Sequence, residues 1–296
     1  MTPLVSILVS NYNYGGFVAE AIESALAQTY TNCEIIVVDD GSTDYSREII
    51  NQFAGRIVPV FKSNGGQASA FNAGFARARG NIICFLDSDD LFLPTKVEQV
   101  VYALDAHPRE WCFHHLQWTD RDLNPVEMPV NPYKSGDLDV RSNVLSFIPP
   151  ATSGLAFTRR LLEQILPMPE SIRITSDNYL KLSSMALAPG YYIEEQLVLQ
   201  RIHGNNLYTG LDNLKIRADA QIATALGLRS NFPALRRVCN RMYADGLAMG
   251  LTLGRGDGER TSHFEGMSLT ERAALCARVT YKLTRNRLRH RVRATA

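Results

Sequence analysis

The chain has 296 residues, with 31 lysines and arginines against 30 aspartates and glutamates, and an apolar fraction of 45% that is ordinary for a soluble globular protein. No apolar run approaches the ~20 residues of a membrane-spanning helix. The N-terminus lacks the basic and apolar regions of a secretory signal, so we expect none. Five scattered cysteines without CxxC spacing argue against a disulfide framework and a zinc site, and favour a reducing, cytoplasmic compartment.

The first hundred residues alternate between apolar runs and amphipathic segments. Strands are predicted at 4–10, 33–39, 57–61 and 81–87, and helices at 17–28, 44–54 and 67–79. Uninterrupted apolar strands separated by helices predict a parallel sheet that is covered on both faces. Each strand ends in polar residues, and ligands of such sheets bind outside the carboxyl ends of the strands. The sequence therefore predicts a site at this rim.

The stretch "ICFLDSDDLFLP" (83–94) places Asp87, Asp89 and Asp90 directly after a buried strand. Like charges this close repel each other, so the cluster is either a solvated turn or the place of a cation. A D-x-D pair can hold a hard divalent cation together with substrate phosphates. Because the chain has neither GxGxxG after the first strand nor GxxxxGK[ST], a dinucleotide-binding dehydrogenase and a P-loop NTPase are disfavoured.

Four segments of the chain carry a resemblance to a known family. They are "SILVSNYNYGGFVAEAIESALAQTYTNCEIIVVDDGSTD" (6–44), "NGGQASAFNAGFARARG" (64–80), "FLDSDD" (85–90) and "SDNYLKLSSMALAPG" (176–190). In this order and spacing they resemble the family 2 glycosyltransferases of the GT-A fold, over roughly residues 3–205. The resemblance implies an α/β, Rossmann-like fold with a mostly parallel central sheet, helices on both faces and a helical C-terminal region.

The resemblance also implies roles for residues of the donor site. Asp40 would hydrogen-bond the nucleotide base, with Asp39 beside it, while Ser10, Asn11 and Tyr12 would frame the base. Gln67 and Asn72 are candidate donor contacts, and backbone N–H groups near Gly65, Gly66 and Gln67 are candidate phosphate donors. The whole nucleotide-binding set is Ser10, Asn11, Tyr12, Asp39, Asp40, Gln67, Asn72 and Asp87.

The chemistry implied is a single displacement with a metal and a general base. Asp87 would contact ribose or metal-bound water, and Asp89 would ligate Mn²⁺ or Mg²⁺ on the diphosphate. His203, in "QRIHGNN", would reach the diphosphate or the metal. Asp177 falls where inverting members place the base that takes the acceptor proton.

Two positions depart from the family pattern. Phe71 stands where the family often has an arginine before Asn72, so one cationic contact to the diphosphate is missing or supplied elsewhere. Ser176 replaces the first acid of the usual Glu-Asp pair, but Asp177 keeps the second.

These inferences predict an inverting glycosyltransferase that uses a UDP-sugar and a saccharide or lipid-linked acceptor in cell-surface polysaccharide or glycan biosynthesis. Residues 1–105 would form the nucleotide-sugar-binding half of the GT-A domain, 106–225 the acceptor-binding half, and 226–296 a basic helical region. Two alternatives are a sugar-nucleotidyltransferase, for which "NYNYGGF" offers no cation, and an inactive nucleotide- or carbohydrate-binding module.

Structural interpretations of the same residues stay open. Asp40 with Gly41 and Ser42 is turn chemistry by itself. Asp177 is also favourable as an acid in the first turn of a helix. His203 alone is as often a satisfied surface or core residue as a ligand.

The C-terminus is electrostatically distinct. Eight of the 31 basic residues follow Glu271 and no acid does, so residues 1–271 carry 23 basic against 30 acidic residues. A basic helix over 272–293 could lie on an anionic membrane surface, putting the protein on the cytoplasmic face. It could instead be solvated or packed on the protein. Nucleic acid is an unlikely partner because only Tyr281 offers an aromatic platform there.

Overall fold

A computed structural model describes residues 2–106, 109–128, 132–204, 206, 214–252 and 267–294, with side chains described to residue 284. The chain divides into two compact units, residues 1–206 and 207–296. The first unit is a mixed α/β structure around one central sheet, which confirms the predicted fold class. The functional halves predicted to meet at residue 105 stay a prediction.

The elements of the first unit follow the alternation predicted from the sequence up to residue 87. Its first part contains β1 (Val5–Asn11), α1 (Val18–Leu26), β2 (Cys33–Asp39), α2 (Ser46–Gln52), β3 (Val58–Phe61), α3 (Gln67–Arg77), β4 (Ile82–Asp87), β5 (Leu91–Phe92) and α4 (Lys96–Ala106). Its second part contains β6 (Trp111–Thr119), β7 (Gly136–Leu138), β8 (Leu155–Thr158), α5 (Arg159–Ile165), α6 (Asp177–Leu187) and β9 (Gly190–Arg201).

The sheet has the strand order β3-β2-β1-β4-β8-β6-β9-β5, and β7 pairs with β9. Strands β1 to β4 are parallel to one another, as are β6 and β9, while β8 is antiparallel to both of its neighbours. Because β1, β2 and β4 run in the same direction, their carboxyl ends meet at one edge of the sheet.

Apolar side chains cover both faces of this sheet. On one face Val5, Ile7 and Val9 pack under α1 and α4, while on the other the rings of Phe71 and Phe85 meet at 4.9 Å. The core on the face covered by α1 and α4 also encloses Lys96, whose fully buried ammonium lies 3.9 Å from the centre of the Phe92 ring. Burial lowers the pKa of Lys96, because the protonated form loses its hydration.

The second unit consists of helices in its described part: α7 (Leu214–Asn231), α8 (Arg236–Thr252) and α9 (Leu269–Ala294). Leu275 of α9 is buried, and Arg278 pairs with Asp245 of α8 at 2.8 Å. The predicted basic segment is therefore helical, and its first half packs against α8. The side chains of the arginines from residue 285 onward lie outside the described residues. No helix in the described part of the chain combines the length and apolarity that a bilayer-spanning segment needs.

Candidate active site

The polar ends of β1, β2 and β4 lie side by side, as the sequence predicts. In the parallel ladders, Asn11 is opposite Asp39 and Ser10 is opposite Asp87. Side-chain hydrogen bonds follow this register: Asn11 Nδ2 donates to Asp39 Oδ2 at 3.0 Å, and Ser10 Oγ donates to Asp87 Oδ1 at 3.2 Å. Tyr12 follows with a partly exposed ring. The rim therefore brings together four of the predicted donor-site side chains.

Asp39 is a buried carboxylate that organises the turn after β2. It accepts hydrogen bonds from Arg47 Nε at 2.8 Å and from the Ser42 backbone N–H at 3.1 Å, besides the one from Asn11. Burial by itself would raise the pKa of Asp39, but the hydrogen bonds from Ser42, Arg47 and Asn11 outweigh it and lower the pKa. Asp39 is therefore held as a carboxylate and fixes the shape of the rim.

Asp40 is occupied by donors from the protein itself. Its Oδ1 accepts from Lys62 Nζ at 2.6 Å and from the Gly65 N–H at 2.9 Å, and its Oδ2 accepts from the Gly66 N–H at 2.7 Å. Gly66 has φ +89°, and a Cβ there would lie 2.7 Å from Arg173 Cα, so only glycine fits. The backbone donors expected for phosphate at 65 and 66 thus bind Asp40. Contact of Asp40 with a base stays a prediction.

Gln67 and Asn72 of α3 hold the segment that leads to Asp177. Gln67 Oε1 accepts from the Ser176 N–H at 2.8 Å, and the Gln67 N–H donates to the Arg173 carbonyl at 2.8 Å. The Asn72 amide makes two bonds of 2.9 Å with the backbone N–H and carbonyl of Met168. Sequence reasoning proposed both residues as nucleotide contacts, which stays a prediction. The observed bonds show that α3 tethers residues 168–176.

Asp87 lies within electrostatic reach of two other acids. Burial is the largest cause that raises its pKa, followed by the negative charges of Asp89 and Asp177, and together they bring the pKa of Asp87 to about 7. Hydrogen bonds from Thr152 and Ser10 oppose this rise. The charge of Asp177, at the N-terminus of α6, therefore reaches the D-x-D turn, although 88 positions separate Asp177 from Asp89 in the sequence.

Asp89 is buried beside His203. Its Oδ2 lies 3.2 Å from His203 Nε2 and accepts from Asn206 Nδ2 at 3.1 Å. The His203 ring stacks on Phe17, with 4.6 Å between ring centres. The structure therefore brings His203 to the D-x-D turn, as the sequence predicts. Asn206 was missed, although it lies in the same "HGNN" stretch, because an asparagine near a histidine carries no distinctive signal.

The third acid of the turn, Asp90, has structural partners. Ser153 Oγ donates to its Oδ2 at 2.6 Å, and the Arg201 backbone N–H donates to its Oδ1 at 3.0 Å. Burial, followed by the charges of Asp89 and Asp87, raises the pKa of Asp90 well above its usual range. Asp90 therefore ties the D-x-D turn to β9 and to the start of β8.

Asp177 is the first residue of α6 and is 8% exposed. Its Oδ2 lies 2.5 Å from Lys181 Nζ, one turn further along the helix, and its Oδ1 accepts from the Asn178 N–H at 3.0 Å. Ser176, in the place of the first family acid, is fully buried and donates its hydroxyl to the Ile172 carbonyl at 2.7 Å. Sequence reasoning missed Lys181, although the four-residue spacing from Asp177 is a signal of an ion pair on a helix.

Phe71 is 2% exposed and packs on Phe85, which explains the departure from the family pattern. At this position the side chain points into the core between α3 and β4, so the chain offers no cation there. Any cationic contact to a diphosphate comes from another residue.

The carboxylates of Asp87 and Asp89 suit a hard divalent cation, since Mg²⁺-type sites use one or two carboxylates and complete their shell with substrate phosphates and water. The described residues contain no group of three or more His, Cys, Asp or Glu side chains that could hold a metal ion by themselves. Asp87 and Asp89 match the one or two carboxylates that such a site takes from the protein.

Comparisons with known proteins agree with this geometry. The sequence profile described as Glycosyl transferase family 2 matches residues 6–162, more than half of the chain. An uncharacterized glycosyltransferase from Nostoc sp. is 37% identical over 211 residues, which is 68% of this chain and 66% of that protein. One from Rickettsia prowazekii is 34% identical over 209 residues, which is 68% of this chain and 65% of that protein. The chain thus spans just under two thirds of the length of these relatives.

Two solved structures share the fold at low identity. TarS 1–349 of Staphylococcus aureus in complex with UDP-GlcNAc has a TM-score of 0.62 and 16% identity, with 93% of this chain and 79% of that chain covered. The mannosyltransferase PcManGT of Pyrobaculum calidifontis in complex with GDP-Man and Mn²⁺ has a TM-score of 0.54 and 15% identity, with 96% and 88% covered. Taken with the family match over the strands that build the acidic rim, these findings show that the chain is a member of glycosyl transferase family 2.

Proposed function

We propose that the chain is an inverting, metal-dependent glycosyltransferase that moves a sugar from a UDP-sugar to a hydroxyl group of a saccharide or lipid-linked acceptor. The observation that carries this proposal is the rim at the carboxyl ends of β1, β2 and β4, where Ser10 bonds Asp87 and His203 lies against Asp89. The charge of Asp177 also reaches Asp87 and raises its pKa. Two acids that suit a cation and a third that suits a base are the parts that a single displacement requires.

Asp177 is the proposed general base. An acceptor hydroxyl is a weak nucleophile, so a carboxylate within hydrogen-bond reach must take its proton as the oxygen attacks the anomeric carbon. The bond from the anomeric carbon to the diphosphate breaks as the new bond forms on the opposite face, so the configuration inverts. Nucleoside diphosphate then leaves as the second product.

Asp87 and Asp89 would hold Mn²⁺ or Mg²⁺, with His203 as a further candidate ligand beside Asp89. When bound, such an ion supplies Lewis-acid stabilisation of the charge that develops on the diphosphate. The burial of Asp89, which is 8% exposed, strengthens this role, because charges interact more strongly where water is excluded.

Relatives and solved structures bear on the base of the donor and on the acceptor class. TarS was solved with UDP-GlcNAc and PcManGT with GDP-Man, so the fold accommodates more than one base. A chondroitin synthase of Pasteurella multocida is 38% identical over 126 residues, 42% of this chain and 13% of that protein, which supports a role in polysaccharide biosynthesis.

A thermal-shift panel with UDP, GDP, dTDP and CDP, each with and without Mn²⁺, tests the donor and metal assignments together. We expect UDP with Mn²⁺ to raise the melting temperature most, and UDP alone to raise it less. The same shift for all four nucleotides contradicts the UDP preference. A shift unchanged by EDTA contradicts the metal assignment.

We also propose that the end of α9 contacts an anionic membrane surface on the cytoplasmic side, since basic helices bind such surfaces through Lys and Arg. The proposed segment is 272–293, which has eight lysines and arginines. Two of them, Arg278 and Lys282, pair with Asp245 at 2.8 Å and 3.4 Å, so the test changes the five arginines from 285 to 293. Flotation with vesicles containing phosphatidylserine compares the full chain with one in which those five arginines are glutamines. Equal flotation removes the membrane proposal.

A further inference from the structure

Lys181 is a buried lysine in contact with the proposed base. Its ammonium lies 2.5 Å from Asp177 Oδ2, and the two residues are 6% and 8% exposed. Ion pairs on the protein surface contribute little to the free energy of folding. A buried pair differs, because loss of one partner leaves the other charge buried and uncompensated.

Lys181 also stands out by its charge. The negative charges of Asp89 and Asp177 both act on Asp87, whose pKa they raise. Within the described residues, the ion pairs of these three acids join Asp177 to Lys181 and Asp89 to His203. Lys181 is therefore the lysine that these ion pairs place against the proposed base.

The orientation of the base is fixed from two sides. The ammonium of Lys181 holds Oδ2, while the Asn178 N–H holds Oδ1. One residue before Asp177 in the chain, the Ser176 N–H donates a hydrogen bond to Gln67 Oε1 at 2.8 Å, which fixes the start of α6. These bonds restrict the rotamers of the Asp177 carboxylate. The rate of a proton transfer from the acceptor hydroxyl depends on how well the carboxylate is positioned, since small displacements of a reacting group slow the reaction.

We propose that Lys181 is a positioning residue of the glycosyl transfer: through the ion pair at Oδ2, its ammonium orients the carboxylate of Asp177. The inference rests on the proposed function, which makes Asp177 the base. Lys181 itself touches neither donor nor acceptor in this account, so its loss affects turnover and leaves donor binding intact.

The test compares Lys181→Met, Lys181→Gln and Lys181→Arg with the wild-type full chain. UDP release from UDP-GlcNAc, UDP-glucose and UDP-galactose gives kcat and KM, and calorimetry gives the affinity for UDP with Mn²⁺. We expect kcat of the methionine and glutamine variants to fall about 10- to 100-fold with UDP affinity within about twofold, and the arginine variant to recover most of the rate.

The glutamine variant keeps a hydrogen-bond donor and fills the place of the methionine variant if that one does not fold. Lys134→Met is the matched control, because Lys134 pairs with Glu194 at 3.2 Å on the exposed surface. A neutral variant with wild-type kcat, or one that loses UDP affinity as much as kcat, overturns the inference. Asp177→Asn separates the two proposals: its full activity would refute the base itself, whereas its inactivity beside a fully active Lys181→Met refutes only the role of Lys181.

Discussion

Replacement of Asp87 by asparagine should stabilise the metal-free protein at alkaline pH and have less effect at pH 5. Burial, together with the charges of Asp89 and Asp177, raises the pKa of Asp87 from 3.8 to about 7. A raised pKa means that the folded protein keeps a proton that the unfolded chain releases above its own pKa. The contribution of this carboxyl to stability is therefore present at low pH and is lost as the pH rises through about 7.

The magnitude follows from the size of this rise. A difference of about 3 pH units corresponds to about 4 kcal/mol at 1.36 kcal/mol for each unit. Only the part between pH 5 and about 7 falls within the comparison of pH 8 with pH 5, which limits the difference to about 2.7 kcal/mol. Asp87 is partly exposed, so solvent screening reduces this value, and we expect a gain of about 1–2 kcal/mol for the asparagine variant at pH 8 relative to pH 5. The amide keeps an acceptor oxygen for the hydrogen bond from Ser10.

Urea unfolding in EDTA at pH 5 and at pH 8 measures the effect. Asp39→Asn is the control of opposite sign, since hydrogen bonds lower the pKa of Asp39 despite its burial. Asp39 is ionised in the folded and unfolded states throughout this window, so its variant should lose the same stability at both pH values. If Asp87→Asn shows the same difference from wild type at pH 5 and at pH 8, the account of the acidic cluster is wrong.

Four further outcomes are expected. Asp89→Ala should remove the Mn²⁺-dependent part of UDP binding seen by calorimetry; affinity with Mn²⁺ equal to that of wild type would contradict its role as a ligand. Gln67→Ala removes the acceptor of the Ser176 N–H, so we expect kcat to fall about tenfold while the affinity for UDP stays nearly unchanged. A loss of UDP affinity without a loss of kcat would instead support direct contact of Gln67 with the nucleotide. Phe71→Arg, which restores the usual family residue, buries a charge beside Phe85 and should cost about 3 kcal/mol or more in urea unfolding; a stable variant with tighter UDP binding would refute this. Lys96→Met removes a buried ammonium that has lost its hydration and should raise the melting temperature by several degrees, and a lower melting temperature would show that the ammonium stabilises the core.

The sequence predicts the first half of the sheet well because its strands are continuous apolar runs and its helices are periodic. Strand β9 was not predicted, since Glu194, Glu195 and Gln196 interrupt its apolar pattern and are exposed. Its extended conformation comes from pairing with β6, whose register shifts next to His115. Pairing partners that lie about eighty residues away leave no local pattern in the sequence.

In the candidate site, too, some residues could be placed from the sequence and others could not. The acids at the strand ends could be placed together because parallel strands end at one rim. The partners of the side-chain amides of Gln67 and Asn72 could not be decided from the sequence, since an amide uses the same donor and acceptor atoms to bind a nucleotide or a backbone segment. Asp40 is likewise an acceptor for both, and its bonds to Lys62 and Gly66 depend on the path of a loop that local sequence does not fix.

The bonds from Gln67 and Asn72 mean that helix α3 begins next to the loop held by Asp40 and also restrains the backbone before Asp177. If a donor displaces this loop, the same helix must shift or release its tethers, so the free energy of donor binding and the placement of the proposed base would be thermodynamically linked. Replacement of this loop by that of a relative would then change the acceptor step of the proposed reaction as well, unless the two amide tethers are transplanted together with the loop.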